Sequence, residues 1–374
     1  RIQAPKEANL HLEPTDEQKA IAEALHDLAV NEIRPAARDA EATGEPPERI
    51  VKQLFEMGVA APVPEEFGGQ GVFDAMTSVL IAEELGWGDP GIAYSILWGG
   101  SAATLIDLTA SQGVRSDLLG RIQEGGRATV LLAERDAAAD IEQLDSVVEP
   151  THDAQGVSGT KYGVVDADRA EVRIVVARSQ GELGLWRLEE EPKTVKLEDK
   201  LGLRSARTFK VTLDRTGAEK LDGGEPGEVA KALLRLKLIN AGISLGLARA
   251  ALDYATDYAK ERTAFGRPIG AFQAISFKIA DRAMDLETAR LMVWKAAWAL
   301  DASTNEAGRF VMKACAHAVV AAVAAADDGV QILGGHGYMQ DHPEEMWYRD
   351  ALTLATFDSP GFVNDPHLGA VSPR

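Results

Sequence analysis

The sequence predicts an α+β multidomain fold, with helices at both ends of the chain and a β unit between them. Three observations support this class. Apolar residues recur at three- and four-residue spacing before residue 125 and again after residue 226, which is typical of amphipathic helices. Short β-branched runs separated by turn residues fill the middle of the chain. Strands and helices do not alternate, which argues against a Rossmann fold.

The N-terminal helical domain is predicted over residues 1–125. "TDEQKAIAEALHDLAVNEIRPAARDAEA" begins with an N-cap signal at Thr15 and Asp16 and continues with helical spacing. "PERIVKQLFEMGVAAPVPEEFGGQG" is predicted to form a helix that ends at Gly58 and precedes a loop rich in proline and glycine. "DAMTSVLIAEELGWGD" and "AATLIDLTASQGV" predict two further helices.

A middle β domain is predicted over residues 126–217, and a C-terminal helical domain over residues 226–374. Runs such as "VRIVVARS" and "TFKVTLD" are the strand candidates. "TGAEKLDGGEPGE" has the glycine, proline and charge content of a linker. Long helices are then expected from about residue 227 to 356, with interruptions at "RTAFGRPIG" and "GGHGY".

Composition excludes several classes of partner. The 374-residue chain carries a formal net charge of -19, which disfavours nucleic acid and anionic membranes. The single cysteine, Cys315, excludes an internal disulfide and fits a reducing compartment. Around it, "VMKACAHAVVAAVAAA" is judged too short and too interrupted to span a bilayer. We therefore expect a soluble cytoplasmic protein, and no cluster with metal-ligand spacing predicts a metal site.

Two glycine-containing interruptions carry the residues suited to binding a ligand. In "ERTAFGRPIGAFQ", Arg262 offers a guanidinium for phosphate oxygens, Phe265 a ring and Gln273 an amide. In "QILGGHGY", Gly334 and Gly335 would let a ligand or a second backbone approach closely. Taken alone, the first stretch could equally be a polar loop between helices, and the second a helix C-cap.

The order of these motifs resembles one family. "RTAFGRPIGAFQAISFKIAD", "QILGGHGY" and "YRDA" together resemble the C-terminal domain of the acyl-CoA dehydrogenases. "PEEFGGQG", "IAEELG" and "LGLRSARTFKVTLD" extend the resemblance over nearly the whole chain. It implies an acyl-CoA dehydrogenase-like fold of N-terminal helical domain, β-barrel-like middle domain and C-terminal four-helix bundle, assembled as a tetramer or dimer.

The resemblance also implies a cofactor, a substrate and partners. The cofactor is FAD, the substrate is a fatty or other acyl-CoA thioester, and an electron-transfer flavoprotein or similar protein accepts the electrons. A carboxylate base removes the α-proton while the flavin accepts the β-hydride. In this family the flavin lies at a subunit interface, where the neighbouring subunit grips its pyrophosphate and adenine. The residues that match this gripping set are Arg262, Phe265, Gln273, Gln331, Gly334 and Gly335.

The segments that would hold a flavin in the same subunit depart from the family pattern. "AERDAAAD" stands where the family has "TEP.AGSD", and "KYGVVD" stands where it has "K.WITN". The flavin-bonding hydroxyls and the tryptophan that packs on the flavin are therefore missing. Each buried group left without a partner costs about 1–3 kcal/mol. The departing positions are Ala133, Arg135, Ala138, Ala139, Gly163 and Val165.

The position of the catalytic base is also altered. An alignment without gaps from Gly334 through "RDA" places Asp358 of "TFDSP" on the family's catalytic Glu. Asp is one methylene shorter, and a misplacement of about 1 Å can cost roughly a hundredfold in rate. Some relatives carry the base on an earlier helix, but this chain has Leu236 there. A turn or N-cap acid is the favoured interpretation of Asp358.

The asymmetry predicts a degenerate partner subunit that completes the FAD site of a catalytic paralogue. The chain is similar in this respect to subunits of the actinobacterial α2β2 acyl-CoA dehydrogenases of steroid side-chain degradation, in which half of the sites are inactive. Two alternatives stay open. The chain could form an active homotetramer that uses Asp358 as base, or a flavin-free scaffold that has kept only the family fold.

Overall fold

The computed structural model describes residues 12–135, 144–150, 155–221, 223 and 226–358. Its N-terminal part is helical, as predicted. The helices are α1 (Asp16–Leu28), α2 (Arg34–Thr43), α3 (Glu48–Glu56), α4 (Ala75–Gly88), α5 (Pro90–Thr109) and α6 (Gln112–Gln123). One π-helical turn, Ala29–Ile33, joins α1 to α2.

The local signals for helix ends act as the sequence indicates. Thr15 caps α1, because its hydroxyl accepts from the Gln18 amide at 3.2 Å while the Gln18 side chain accepts from the Thr15 amide at 3.0 Å. Gly58 lies two residues beyond the end of α3 with φ of +74°. The loop after it leads into α4, whose N-cap is Asp74.

The middle part forms one seven-stranded sheet. Its strands are β1 (Ala128–Leu131), β2 (Val147–Pro150), β3 (Gln155–Val165), β4 (Val172–Ser179), β5 (Glu182–Leu188), β6 (Thr194–Leu197) and β7 (Thr208–Lys220). The order is β1-β4-β2-β3-β7-β5, β6 adds to β7, and β5 pairs back with β4. That last pairing closes the sheet, so the β-barrel-like middle domain is confirmed.

The C-terminal part is a bundle of long helices, also as predicted. Its helices are α7 (Pro226–Glu261), α8 (Gln273–Asp301), α9 (Ala307–Leu333) and α10 (Glu344–Asp358), and the short strands β8 (Thr263–Ala264) and β9 (Arg267–Pro268) separate α7 from α8. The three-part architecture is therefore as expected, whereas the boundaries at 125, 217 and 226 remain predictions.

The two helical parts share one core. A single cluster of buried apolar side chains runs from Leu25 on α1 through α4 and α7 to Leu354 on α10. A second cluster, built around Trp186 and Phe209, fills the sheet. Asp301 at the end of α8 reaches the other helical part, where its carboxylate accepts from the amides of Ala75 at 2.9 Å and Met76 at 3.2 Å. The C-terminal bundle thus satisfies the free amides at the start of α4.

One expectation about the alanine-rich helix was wrong. α9 and the 3-10 turn after it, residues 307–338, together span 32 residues and are by length and composition long and apolar enough to cross a membrane. The quoted run, residues 311–326, underestimates the length of the helix, because α9 extends beyond it in both directions, from Ala307 to Leu333. Half of the apolar window is buried inside the protein, as in the core helix of a bundle.

Candidate functional site

A two-stranded ribbon positions Arg262 and Phe265. β8 and β9 pair through Ala264 and Arg267, which leaves Phe265 and Gly266 as the two-residue turn. Both turn residues have positive φ, +51° and +81°, as a type I′ turn requires. Phe265 is 97% exposed, so its ring projects from the tip of the ribbon into solvent. Arg262 sits at the base, and its carbonyl accepts from the Ile269 amide at 2.8 Å.

The paired glycines end α9 next to this ribbon. Gly334 takes φ of +59° at the helix end, and a 3-10 turn continues from it to Tyr338. A Cβ built on Gly334 or Gly335 would meet nothing within 4 Å. These two glycines therefore border open space, as the sequence interpretation requires, whereas at Gly337 a Cβ would lie 2.4 Å from the Val330 carbonyl.

The two motifs meet in a groove of about 450 Å³. Apolar and polar side chains both line it. Arg262 supplies a cation, and the Tyr258 hydroxyl lies 3.3 Å from His336 Nδ1. The lining residues are Tyr258, Arg262, Ile269, Ile332, Leu333, Gly335, His336 and Met339. Apolar side chains beside an exposed guanidinium suit a ligand that joins a heterocycle to phosphate.

The structure brings part of the predicted binding set together. Arg262 and Gly335 line the groove. Gln331 and Gly334 are exposed and flank lining residues on the chain. Gln273 is also exposed, but it begins α8 and is not a lining residue. Phe265, exposed at the ribbon tip, is not a lining residue either.

Two polar lining residues, Tyr258 and His336, were not predicted from the sequence. Tyr258 lies in the last turn of α7, four residues before Arg262, whose amide donates to the Tyr258 carbonyl at 2.8 Å. That spacing was the available signal. His336 was interpreted as a plain loop residue, yet its ring packs 6.2 Å from the Tyr258 ring.

The altered segment of the middle domain has its own geometry. Gly163 lies in β3 with φ of +65°, beside an irregularity in the β3–β7 register between Lys161 and Val164. Its amide donates to the Glu198 carboxylate at 3.0 Å. Because φ in this range disfavours any side chain, a tryptophan at this position would be strained. The missing tryptophan is thus accompanied by a backbone conformation that favours glycine at this position.

The other altered positions are apolar, charged or outside the described residues. Val165 is buried, and its carbonyl accepts from the Thr129 hydroxyl at 2.6 Å. Ala133 is half-buried and Arg135 is exposed. Ala138 and Ala139 lie outside the described part of the chain.

The two candidate base positions lie on different helices. Asp358 is the last residue of α10, and its side chain, like Ser359 and Pro360, falls outside the described residues. Leu236 is buried in α7. Its apolar side chain cannot accept a proton, so the alternative base position holds no acidic residue.

Comparison with known proteins agrees with this architecture. The acyl-CoA dehydrogenase N-terminal domain family matches residues 15–126, and the acyl-CoA dehydrogenase C-terminal domain family matches residues 228–359. A probable acyl-CoA dehydrogenase of Bacillus subtilis is 32% identical over 365 residues, which cover 92% of this chain and 95% of that protein.

Solved structures share the fold over almost the full length. A glutaryl-coenzyme A dehydrogenase, solved with glutaryl-CoA, superposes with a TM-score of 0.83 at 27% identity and covers 95% of this chain and 94% of its own. A glutaryl-CoA dehydrogenase from Mycobacterium smegmatis, solved with FADH2, gives a TM-score of 0.82 at 19% identity, with coverage of 93% and 92%. The second likeness bears on the fold alone.

Proposed function

Because the chain belongs to the acyl-CoA dehydrogenase family, we propose that it is a subunit of an FAD-dependent acyl-CoA dehydrogenase that completes the flavin site of a catalytic paralogue. The complex would carry out α,β-desaturation of an acyl-CoA thioester. One contrast carries the proposal. The groove around Arg262 is formed and open, whereas the middle-domain segment that would hold a flavin in this chain lacks the family's side chains at Ala133, Gly163 and Val165.

The groove fits the part of FAD that a neighbouring subunit would present. Arg262 would bind and orient the diphosphate through charge-assisted hydrogen bonds. The open backbone at Gly334 and Gly335 leaves room for close approach. Arg262 is exposed beside apolar lining residues at the surface of this chain. A site that a second subunit completes requires such an open arrangement.

The middle-domain segment does not fit a flavin ring. The Gly163 amide already donates to Glu198, and Val165 offers no donor. The left-handed backbone at Gly163 excludes an unstrained aromatic side chain there. No step of the reaction is therefore assigned to a flavin held by this chain.

An exposed apolar stripe on α8 supports assembly with a second subunit. Phe277, Met284 and Leu291 recur every seven residues and so lie on one face of the helix. They are 60%, 62% and 50% exposed. Large apolar side chains that line up on an open helix face are typical of a subunit interface. We propose a paralogous bundle as the occupant, in an α2β2 assembly.

FAD bound in the complex would accept the β-hydride, and an electron-transfer flavoprotein or similar acceptor would reoxidise it. In this proposal Arg262 of the present chain binds and orients the diphosphate of FAD. The paralogue supplies the carboxylate that removes the α-proton. A CoA thioester of a steroid side chain is the proposed substrate, because the loss of one half of the site resembles the heterotetramers that act on such thioesters.

The test compares the chain alone with the chain co-expressed with the paralogue encoded beside it. We expect the isolated chain to purify with little or no flavin absorbance, and the complex to carry FAD and desaturate an acyl-CoA. Stoichiometric flavin in the isolated chain, with turnover that depends on Asp358, would instead identify an active homo-oligomer. Absence of flavin and turnover from both preparations would leave a scaffold with the family fold.

A further inference from the structure

Four buried polar atoms between α2 and α10 lack hydrogen-bond partners among the described residues. They are Arg34 Nε, Trp347 Nε1 and both carboxylate oxygens of Glu344. Glu344 is 0% exposed and Trp347 is 1% exposed. Buried polar atoms in native proteins are almost always bonded to protein or to ordered water. Each of these atoms therefore requires a partner.

The four atoms belong to side chains that lie together. Glu344 and Trp347 are three residues apart at the start of α10, so they share a helix face. The Arg34 guanidinium carbon lies 3.3 Å from the ring centroid of Trp87 and 5.0 Å from that of Trp347. Burial raises the pKa of Glu344 well above its usual range, and the charge of Arg34 opposes that rise.

The packing leaves space for the Glu344 carboxyl, but none of the described residues forms a hydrogen bond with it. α9 contributes Gly329 at this point, where a Cβ would lie 2.3 Å from Glu344 Oε2. Any larger residue at position 329 would displace the carboxyl. One amino group of Arg34 donates to the Trp87 carbonyl, while its Nε has no hydrogen-bond partner among the described residues.

The chemistry of the unbonded atoms identifies the missing partner. Two are donors, Arg34 Nε and Trp347 Nε1, and two are oxygens of the Glu344 carboxyl. The positive charge of Arg34 disfavours a bound cation, and the acceptor oxygens of Glu344 disfavour an anion. Water both donates and accepts, and a buried water typically makes about three hydrogen bonds. We propose that this junction holds an internal hydration site, in which one or two ordered waters bridge Glu344 to Arg34 Nε and Trp347 Nε1.

The hydration site would form the inner layer of the contact between α2 and α10. The outer layer consists of direct ion pairs, Arg38 with Glu345 at 2.5 Å and Arg349 with Glu41 at 2.6 Å. Both layers join the N-terminal helices to the helix whose last residue is Asp358. The inference concerns this junction alone and does not depend on the proposed function.

A crystal structure of the full chain, at a resolution that shows ordered water, tests the proposal directly. We expect density for one or two waters within hydrogen-bond distance of the Glu344 carboxyl, at least one of them bonded to Arg34 Nε or Trp347 Nε1. Two results would overturn the proposal. One is a dry site in which a protonated Glu344 donates to a backbone carbonyl, and the other is a direct bond between Glu344 and Arg34.

A double-mutant cycle gives a second measurement. Glu344→Leu and Arg34→Met each leave the remaining polar group buried without its bridge, whereas the double variant removes both groups. We expect each single variant to lower the Tm by several degrees and the double variant to lose clearly less than the sum. Glu228→Gln, at an acid paired with Lys231 on the surface, should leave the Tm unchanged. Additive losses would count against a bridged pair.

Discussion

The ammonium of Lys161 is wholly buried and lies 2.7 Å from Glu134 Oε1. Its two remaining donors reach the carbonyls of Leu132 at 3.1 Å and Val176 at 2.7 Å. Glu134 in turn accepts from the Asp145 amide at 2.6 Å and the Ser146 amide at 3.1 Å. The two altered segments of the middle domain are thus still joined by a complete polar network, although the positions beside it, Ala133 and Gly163, differ from the family pattern.

We expect Glu134→Gln to destabilise the protein strongly. The change leaves the Lys161 charge buried without its counter-ion, and removing one partner of a buried pair costs roughly 3–5 kcal/mol. Glu191→Gln is the matched control, because Glu191 is mostly exposed in its ion pair with Arg173 and such pairs contribute about 0–1 kcal/mol. Urea unfolding measures both. Equal midpoints for the two variants would contradict a stabilising role for the buried pair.

A second prediction concerns pH and the buried carboxylate of Asp89. Burial raises the pKa of Asp89 from 3.8 to about 6, although it caps α5 by accepting from the Ile92 amide. The unfolded chain therefore loses this proton at lower pH than the folded chain. Stability should fall as pH rises from about 4 to 6, by roughly 3 kcal/mol for this group.

Asp89→Asn isolates that contribution. The amide oxygen can still accept from the Ile92 amide, but the side chain no longer titrates, so the fall in stability between about pH 4 and 6 should become shallower. Burial likewise raises the pKa of Asp350, so part of the slope should remain. Asp74→Asn changes the corresponding cap of α4 at an exposed position and serves as control. Urea unfolding at several pH values gives the slopes, and identical slopes for wild type and Asp89→Asn would refute the assignment.

The fold was predictable from the sequence because its signals are local. The capping box at Thr15, the helical spacing in α1 and the turn glycine Gly266 each act within a few residues of chain. The ends of β7 and the extent of α9 were harder to predict, since neighbouring elements decide where a strand or helix stops. The alanine-rich run illustrates this, because its continuation into α9 depends on packing against α7 and α8.

The candidate site was predictable only in part, for a different reason. Arg262 and Gly335 occur in motifs that can be seen in one sequence, and the structure brings them to one groove. Tyr258 and His336 join them through contacts between α7 and the turn after α9, which no short motif records. The left-handed backbone at Gly163 was also invisible, because a glycine in a strand is compatible with several conformations.

A third prediction concerns Arg262 in the assembled complex. We expect Arg262→Ala to weaken FAD binding roughly tenfold to a hundredfold, since a charge-assisted hydrogen bond contributes about 1.5–3 kcal/mol. Arg267→Ala is the matched control on the same ribbon, because Arg267 stacks on Phe272 with its guanidinium carbon 4.1 Å from the ring centroid and does not line the groove. Equilibrium titration with FAD measures both variants. Equal affinity of Arg262→Ala and wild type would mean that the ribbon is only structural.

The last prediction is that Asp358 is not the base of the complex. Its alignment position is that of the catalytic Glu, but Asp358 ends α10, and the flavin-facing segment that such a base would serve is altered at Gly163 and Val165. If the paralogue supplies the base, Asp358→Asn should leave steady-state turnover of an acyl-CoA within a few-fold of wild type. Replacing the paralogue's own catalytic carboxylate is the positive control and should abolish turnover. A drop of about a thousandfold in Asp358→Asn corresponds to roughly 4 kcal/mol of transition-state stabilisation. Since an amide cannot accept the α-proton, that loss would assign the base to this chain and replace the partner-subunit proposal with an enzyme that depends on Asp358.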